Sequence, residues 1–462
     1  MRRRIKHIHF VGVGGIGMSG LAELLHNQGY RVSGSDLREG PALDRLQSLG
    51  IGVHVGHAAA NLGDVDVVVY SSAVPPHNPE LREAERRGIP VIPRAEMLAE
   101  AMRLKEGIAV AGSHGKTTTT SLVAHVLSSA GLDPTAVIGG RVFAPDTAPS
   151  TTRLGGGDLL VAEADESDGS FLRLAPVVAV VTNIDPEHLE HYGSYEALEE
   201  AFVSFANRVP FWGLTVLCLD HPGVQAIVPR MTRRTTTYGF ASQADLVATN
   251  VRTEVPGSRF EVRRRADRLG EVRLRLPGRH NVLNALATVA VAQELDVPFA
   301  TTADALSAFL GIERRFETKG IAAGIRVVDD YGHHPTEIRA TLAAARSIHS
   351  GRLVVVFQPH RYSRTRDLFE EFATAFHDAD LLVLTEVYAA GEPKIPGVEA
   401  RSLADTIEAR GHRAVHFQPD LEAIPAELAP TLREGDMVLT LGAGSIGSLG
   451  PRILSVLRER QA

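Results

Sequence analysis

At two places the chain passes from a short apolar run through a glycine turn into a helix-like segment, HFVGVGGIGMSG at 9–20 and VAGSHGKTTTTS at 110–121. A strand, a glycine turn and a helix in that order predict an α/β chain. Its parallel strands deliver helix N-termini, with their free backbone N–H groups, to one edge of a sheet. In the first segment Gly12, Gly14 and Gly17 satisfy G-x-G-x-x-G after Ile8, Phe10 and Val11, and Met18, Leu21, Leu24 and Leu25 fall on one side of the helix-like stretch. Asp36 ends the next strand-like run, YRVSGSD, close to where an acid meets a ribose in a dinucleotide site. Such glycines admit any nucleotide diphosphate, so the pattern alone does not demand a redox cofactor.

The second segment is more specific. Gly112, Ser113, His114 and Gly115 form the turn, and Lys116, Thr117 and Thr118 open a helix with Leu122, Val123, Val126 and Leu127 on one face. This is the pattern of a phosphate loop, in which N–H groups cradle a triphosphate, lysine bridges its outer phosphates and the threonine hydroxyl reaches Mg²⁺. Val110 stands where the longer form of the loop has a glycine, leaving the shorter G-x-x-G-K-T. Only five lysines occur in the chain, which sets Lys116 apart from the many arginines. With ATP placed here, the N-terminal glycines can hold a nucleotide-linked substrate.

A length of 462 residues suggests about three domains, and strand-helix alternation restarts twice. The predicted division is an N-terminal Rossmann-like domain at 1–106, a central P-loop ATPase-type mixed sheet at 107–313, and a C-terminal Rossmann-like domain at 314–462. Within the second, the Arg-rich alternating stretch 246–276 reads as antiparallel ribbon. A net charge of -7 with no long basic block argues against nucleic acid as a partner. The start MRRRIK runs straight into HIHFVGVGG without a signal-peptide core, no apolar run approaches the length of a membrane span, and Cys218 is the only cysteine. A cytoplasmic protein without membrane insertion is expected.

Acids and histidines follow two further strand-like runs, in EADESDGSF and TNIDPEHLEHY, where open sheets place ligands. Glu163 beside Thr117 suits magnesium, which takes hard oxygen ligands shared with phosphates; His188 is a less usual ligand for magnesium that could complete the shell of a second metal ion. Farther on, Arg361, Arg364 and Arg366 stand just after one strand, with Tyr331 and His333 expected at the end of a neighbouring one. Guanidinium groups grip carboxylates through paired hydrogen bonds, so this cluster suits an amino acid or a phosphate, unless it is a solvated helix face.

Taken together, HFVGVGGIGMSG, AGSHGKTTTT, EADESDGSF, TNIDPEHLEHY, PGRHNVLNA, ERRFE, DDYGHHPTE and QPHRYSRTRDLF resemble the Mur ligase family, in order along essentially the whole chain, and within it the alanine-adding branch. The resemblance implies an ATP-dependent ligase that joins L-alanine to the lactyl carboxylate of UDP-N-acetylmuramate through an acyl phosphate, with Mg²⁺ or Mn²⁺, in cytoplasmic peptidoglycan precursor synthesis. It implies UDP-sugar contacts at Gly15, Ile16, Gly17, Asp36 and Ser71, and ATP contacts at Gly112 to Thr118 and at Asn281. Metal would be held by Thr117, Glu163 and His188, and the amino acid by Tyr331, His333, Arg361 and Arg364. Lys116, His188 and Arg315 are the residues expected to support the chemistry, and a monomer or weak homodimer is expected. Some relatives support a second metal with a carbamylated lysine, but no lysine occurs between Lys116 and Lys319. The competing readings are a tripeptide-adding recycling ligase, a dehydrogenase and a nucleotide-gated binding protein. The dehydrogenase accounts only for the first domain, and a mere binder leaves the metal residues at the strand ends unexplained.

Overall fold

Runs such as VVVY, VAVV and LTVLC are too short for helices and apolar on both faces, the signature of parallel strands covered by helices on either side. They are strands in the computed structural model, Val67–Tyr70, Val178–Val181 and Leu214–Cys218. The structure describes residues 5–71, 73–144 and 147–460, the side chains of Ile16 and of 144–151 excepted. Three sheets, of five, ten and six strands, form a three-domain α/β fold. By packing, the chain divides into two compact units: residues 1–249, 261–271 and 283–309, and residues 250–260, 272–282 and 310–462.

In the first unit, the N-terminal sheet runs Gly52–Val55, Arg31–Asp36, His7–Val11, Val67–Tyr70, Val91–Pro93, all parallel. Chain direction across the sheet reverses between His7–Val11 and Val67–Tyr70, and the crevice at their carboxyl ends is where such sheets bind ligands. Gly12 and Ser71 directly follow these two strands.

The central sheet places the phosphate loop by its strand order. Glu106–Ala111, which feeds the loop, lies between Val178–Val181 and Leu159–Glu163, parallel to both. The segments after those two strands, TNID and EADE, therefore flank the loop on either side. Thr135–Ala144 pairs parallel with Leu159–Glu163 and antiparallel with Thr147–Arg153, which makes the sheet mixed. The alternating stretch forms three consecutive strands, Leu246–Glu254, Gly257–Arg264 and Asp267–Leu274, and their two-residue connections make them antiparallel, as expected. One continuous apolar core, with Phe10, Leu25, Leu160, Phe171 and Phe202, packs helices onto both sheets of this unit. Cys218 is buried at the end of its strand, and burial pushes its thiol up to about 11.

In the second unit, the sheet runs Glu317–Ala322, Ile325–Asp330, Met437–Leu441, Leu353–Phe357, Leu381–Leu384, Val415–Phe417, parallel except for its first strand. Its alternating side chains feed two cores: Val328, Val355 and Leu439 face one layer of helices, Val327, Val354 and Val438 the other. The strand preceding Tyr331 is not next to the one preceding Arg361, as the sequence led us to expect; Met437–Leu441 lies between them. Among the described residues no helix is long and apolar enough to cross a membrane.

Candidate active site

The N-terminal glycine turn is held from the adjacent strand. The N–H groups of Gly12 and Val13 donate to the Ser35 carbonyl at 2.8 and 3.0 Å, and that of Gly14 donates to Asp36 Oδ2 at 2.8 Å. A Cβ on Gly14 would stand 2.9 Å from that oxygen and 2.8 Å from Leu43, so the turn can lie this close to Asp36 only as glycine. One carboxylate oxygen of Asp36 thus shapes the turn itself. Gly15 caps the helix Ile16–Asn27, and the Ile16 side chain lies outside the described residues.

The phosphate loop is clamped by the TNID segment. His114 N–H donates to Asn183 Oδ1 at 2.7 Å, the His114 carbonyl accepts from Thr182 Oγ1 at 2.6 Å, and Asp185 N–H donates to Ser113 Oγ at 2.9 Å. The His114 and His221 rings lie 3.1 and 3.2 Å from Asp185; burial opposes its charge, but the two rings hold its carboxyl well below the usual carboxylate range. Gly115 takes a left-handed φ of 81°, where a Cβ would meet Asn284 Oδ1 at 2.8 Å. Thr117 and Thr118 are buried in the first turn of Lys116–Ser129.

Lys116 Nζ donates to the carbonyls of Gly112 and Ser113 at 2.6 and 3.1 Å and to Glu166 at 2.9 Å. The two carbonyls can only accept and an ionised Glu166 accepts as well, so a charged ammonium meets all three as donor. Burial works against that charge, but Glu166 and Asp165 beside it hold the ammonium above the ordinary lysine range. On the other flank, Glu163 Oε1 accepts from Gly139 N–H at 2.7 Å. His188 starts a short helix at φ 57°, its Nε2 3.7 Å from Glu187 and 3.9 Å from Glu166.

The N-terminal glycine turn, Lys116 and the Glu163 flank meet at one cavity of about 290 Å³, whose lining does not include Thr117 or His188. Gly15, Gly17, Ser71 and Arg94 line it from the N-terminal sheet, and Lys116, Gly139, Glu163 and Asp165 from the central one. Two sites read separately from the sequence thus open onto the same space. Carboxylates facing a lysine at a helix start form a hard-oxygen donor set beside a phosphate cradle, which fits a divalent cation.

In the second unit, the guanidinium groups of Arg314 and Arg315 each lie over the Tyr331 ring, 5.1 Å from its centre, and the ring meets His333 edge-on at 5.4 Å. His333 lies 5.6 Å from His360, which stacks on Tyr388. Arg364 Nη1 donates to His360 Nδ1 at 3.2 Å; burial, together with His333, Arg364 and Arg361, pushes His360 down to about 3, leaving it a neutral acceptor. Arg361 begins the helix Tyr362–Asp367 at φ 71°, its N–H donating to the Tyr388 carbonyl. Arg366 points away into an exposed pair with Asp367, the solvated face weighed above. Asn281 is also in this unit, buried, with its amide donating to the Pro277 carbonyl at 2.7 Å.

Three family models cover the chain in order: the catalytic domain of the Mur ligase family at residues 7–106, the Mur ligase middle domain at 110–292, and the glutamate ligase domain at 314–444. The chain belongs to the Mur ligase family. This Mur ligase is 58% identical to the UDP-N-acetylmuramate--L-alanine ligase of Myxococcus xanthus, over 99% of its own length and 96% of that protein's. Among solved structures it resembles UDP-N-acetylmuramate-alanine ligase from Thermotoga maritima, with 31% identity, 99% of both chains covered and a TM-score of 0.82. It also resembles a murein peptide ligase from Psychrobacter arcticus, with 25% identity, 98% and 99% covered and a TM-score of 0.72.

Five side chains at these Mur ligase sites escaped the sequence reading. Glu166 is the partner of Lys116, and Arg94 brings a cation to the glycine turn, where a Cβ on Gly17 would stand 3.0 Å from its Nη1. Asn284 Oδ1 accepts from Thr119 Oγ1 at 3.1 Å behind the phosphate loop. His360 and Tyr388 complete the aromatic wall of the second cluster. Only Asn284 carried a usable signal, one helical turn beyond Asn281 in PGRHNVLNA.

Proposed function

We propose that this Mur ligase joins L-alanine to the lactyl carboxylate of UDP-N-acetylmuramate with cleavage of ATP to ADP and phosphate. The observation that supports the proposal is the shared cavity: Gly15, Gly17 and Ser71 line the same space as Lys116 and Glu163, so a diphosphate-linked carboxylate held by the first set would meet a terminal phosphate held by the second. We assign residues 1–106 to the UDP-sugar, 107–313 to ATP and 314–462 to alanine. The Gly12–Gly17 turn and Arg94 receive the UDP diphosphate, with Asp36 bracing the turn. Ser113 to Thr118 wrap the ATP phosphates, and Asn281 is assigned to the adenine.

The lactyl carboxylate attacks the γ-phosphorus and ADP leaves; the alanine amine then attacks the acyl carbon, and the tetrahedral adduct expels phosphate as the amide forms. A carboxylate approaching a phosphate meets like charge, and Lys116 and Arg94, which both line the cavity, offset it. Mg²⁺ or Mn²⁺ held by Thr117, Glu163 and His188 would neutralise further phosphate charge. No protein nucleophile is needed; placement of the reactants carries the rate. Arg361 and Arg364 hold the alanine carboxylate against the Tyr331–His333 wall, and Arg315 fixes Tyr331 from behind. The chemistry belongs to the cytoplasm, where ATP and UDP-sugars are available.

The recycling alternative, which would add a preformed tripeptide, separates in one assay: phosphate release with ATP, Mg²⁺ and UDP-N-acetylmuramate, offering each amino acid and then the tripeptide. Release with L-alanine and little with the tripeptide is expected. Preference for the tripeptide would transfer the chain to the recycling branch.

A further inference from the structure

The arginines assigned to alanine stand on backbone that needs outside support. Arg361 has φ 71° and ψ 136°, a conformation that strains an L residue, and it is the cap of the six-residue helix Tyr362–Asp367. A cap residue ordinarily offers a side-chain oxygen to the first free N–H groups of its helix. A guanidinium has only donors, and the Arg361 side chain makes no such bond. Arginine at this position therefore leaves a strained turn and uncapped amides at the base of the clamp.

One stretch of chain supplies what is missing. Tyr388 N–H donates to the Pro359 carbonyl at 2.8 Å, and the Tyr388 carbonyl accepts from Arg361 N–H at 2.8 Å, so a short parallel bridge holds His360 between them. The chain then turns, with Glu392 N–H on the Ala389 carbonyl at 3.0 Å, and sends the Glu392 carboxylate back to the helix start. Its Oε2 accepts from Ser363 N–H at 3.0 Å and its Oε1 from Ser363 Oγ at 2.7 Å. Glu392 thus does, from 29 residues away, the work of a cap side chain. Inside the helix, Thr365 N–H and Thr365 Oγ1 return to the Arg361 carbonyl at 3.1 and 2.8 Å, which ties the turn that carries Arg364 to the same support.

We infer that Glu392 is a positioning residue of the amino-acid site: its carboxylate caps the helix that Arg361 cannot cap, and so fixes Arg361 and Arg364 where together they grip a carboxylate. The inference rests on the alanine reading above. A carboxylate near Arg361 has a second possible role, and the two predict opposite signs. As a charge alone it would weaken the hold of Arg361 on an anionic ligand. As a cap it strengthens that hold, because the ligand no longer has to order the turn. The geometry favours the cap: two directed bonds of ordinary length to Ser363, and no ion pair to Arg361 among the described residues. Burial opposes charge on Glu392, but the Ser363 hydroxyl and amide and the attraction of Arg361 draw its carboxyl below the ordinary range, so the acceptor is ionised at neutral pH. Bonds to an ionised acceptor are the stronger kind.

Initial rates of phosphate release by the full chain, with each substrate varied in turn, test the inference. Glu392→Ala should raise the alanine KM about ten- to thirtyfold, as expected for loss of hydrogen bonds to a charged group, while kcat and the KM values for ATP and UDP-sugar stay within about twofold. Glu392→Gln keeps an oxygen for Ser363 N–H and should recover part of the loss. Ser363→Ala should raise the alanine KM about threefold, and should add nothing once Glu392 is already alanine. Hydrogen exchange over residues 359–368, measured without ligands, should quicken about tenfold or more in Glu392→Ala. An alanine KM that is unchanged or lowered, or a loss of kcat with every KM unchanged, overturns the positioning role, and so does unaltered exchange. If Glu392→Ala does not fold, Glu392→Gln and Ser363→Ala carry the same test, and an unmoved alanine KM in both overturns it. A parent that releases no phosphate with alanine strikes the substrate reading instead, and hydrogen exchange then decides the cap by itself.

Discussion

Replacing Lys116 by methionine separates what the Lys116–Glu166 pair does for folding from what the lysine does for chemistry. Glu166 is buried and the Lys116 side chain only 18% exposed, the ammonium is 2.9 Å from each glutamate oxygen, and Asp165 adds a second carboxylate nearby. Removing one member of a buried pair costs about 3–5 kcal/mol, because the other charge is left without compensation. Glu166 can escape by taking a proton. From its ordinary value of 4.5 that route costs about 4 kcal/mol at pH 7.5, and this caps the loss. Lys116→Met should therefore lose about 3–4 kcal/mol at pH 7.5. A carboxyl whose folded pKa lies above its unfolded one destabilises only above the unfolded value, so the deficit should shrink as pH falls toward about 4.5. Adding Glu166→Gln should restore about 2 kcal/mol or more without restoring turnover, which should stay down by about a hundredfold or more in both variants. Urea unfolding followed through Trp212, the only tryptophan and in the same compact unit, reads stability; phosphate release reads turnover. A Lys116→Met chain as stable as the parent, or a double variant no more stable than the single one, would refute this account of the pair.

Asn284→Ala should lower kcat/KM for ATP by about tenfold while leaving the UDP-sugar KM within about twofold, since the amide buttresses the phosphate loop through Thr119; initial-rate kinetics with each substrate varied will check it. Arg361→Ala and Arg364→Ala should each raise the alanine KM about ten- to a hundredfold, with lysine rescuing poorly, whereas Arg366→Ala should change it less than about threefold. Equal effects at all three positions in the same kinetics would argue against a directed clamp. Because His360 is held down to about 3 in the fold, the unfolded chain binds more protons as pH drops below about 6.5, so acid weakens the C-terminal unit. His360→Gln should narrow the gap between melting temperatures at pH 5 and pH 7.5, and an unchanged gap would remove His360 as its source.

The two glycine turns, Lys116 and the carboxylates after strand ends were legible because each is a local pattern: a turn, a helix start and a strand end lie within a few residues of one another. What joined them was not local. Glu166 stands in an acidic run where Glu163 and Asp165 were equally good candidates, and only the path of the loop aims one of them at Lys116. Asn284 meets Thr119 across 165 residues, and Arg94 is one arginine among many. The arginine cluster was placed correctly after its strand, but sequence order gave no warning that Met437–Leu441 would insert between that strand and the one leading to Tyr331.

The burial of Cys218 makes the native chain a ready background for site-directed labelling. With a thiol held up to about 11, roughly one molecule in three thousand carries the reactive thiolate at pH 7.5, and packing shields even that fraction. Maleimide dyes should leave the parent unmarked, so a cysteine introduced on the surface of either unit becomes the sole point of attachment. Fluorescence pairs or spin labels can then be installed without first stripping the protein of thiols, and the distance between the two units followed as each substrate is added.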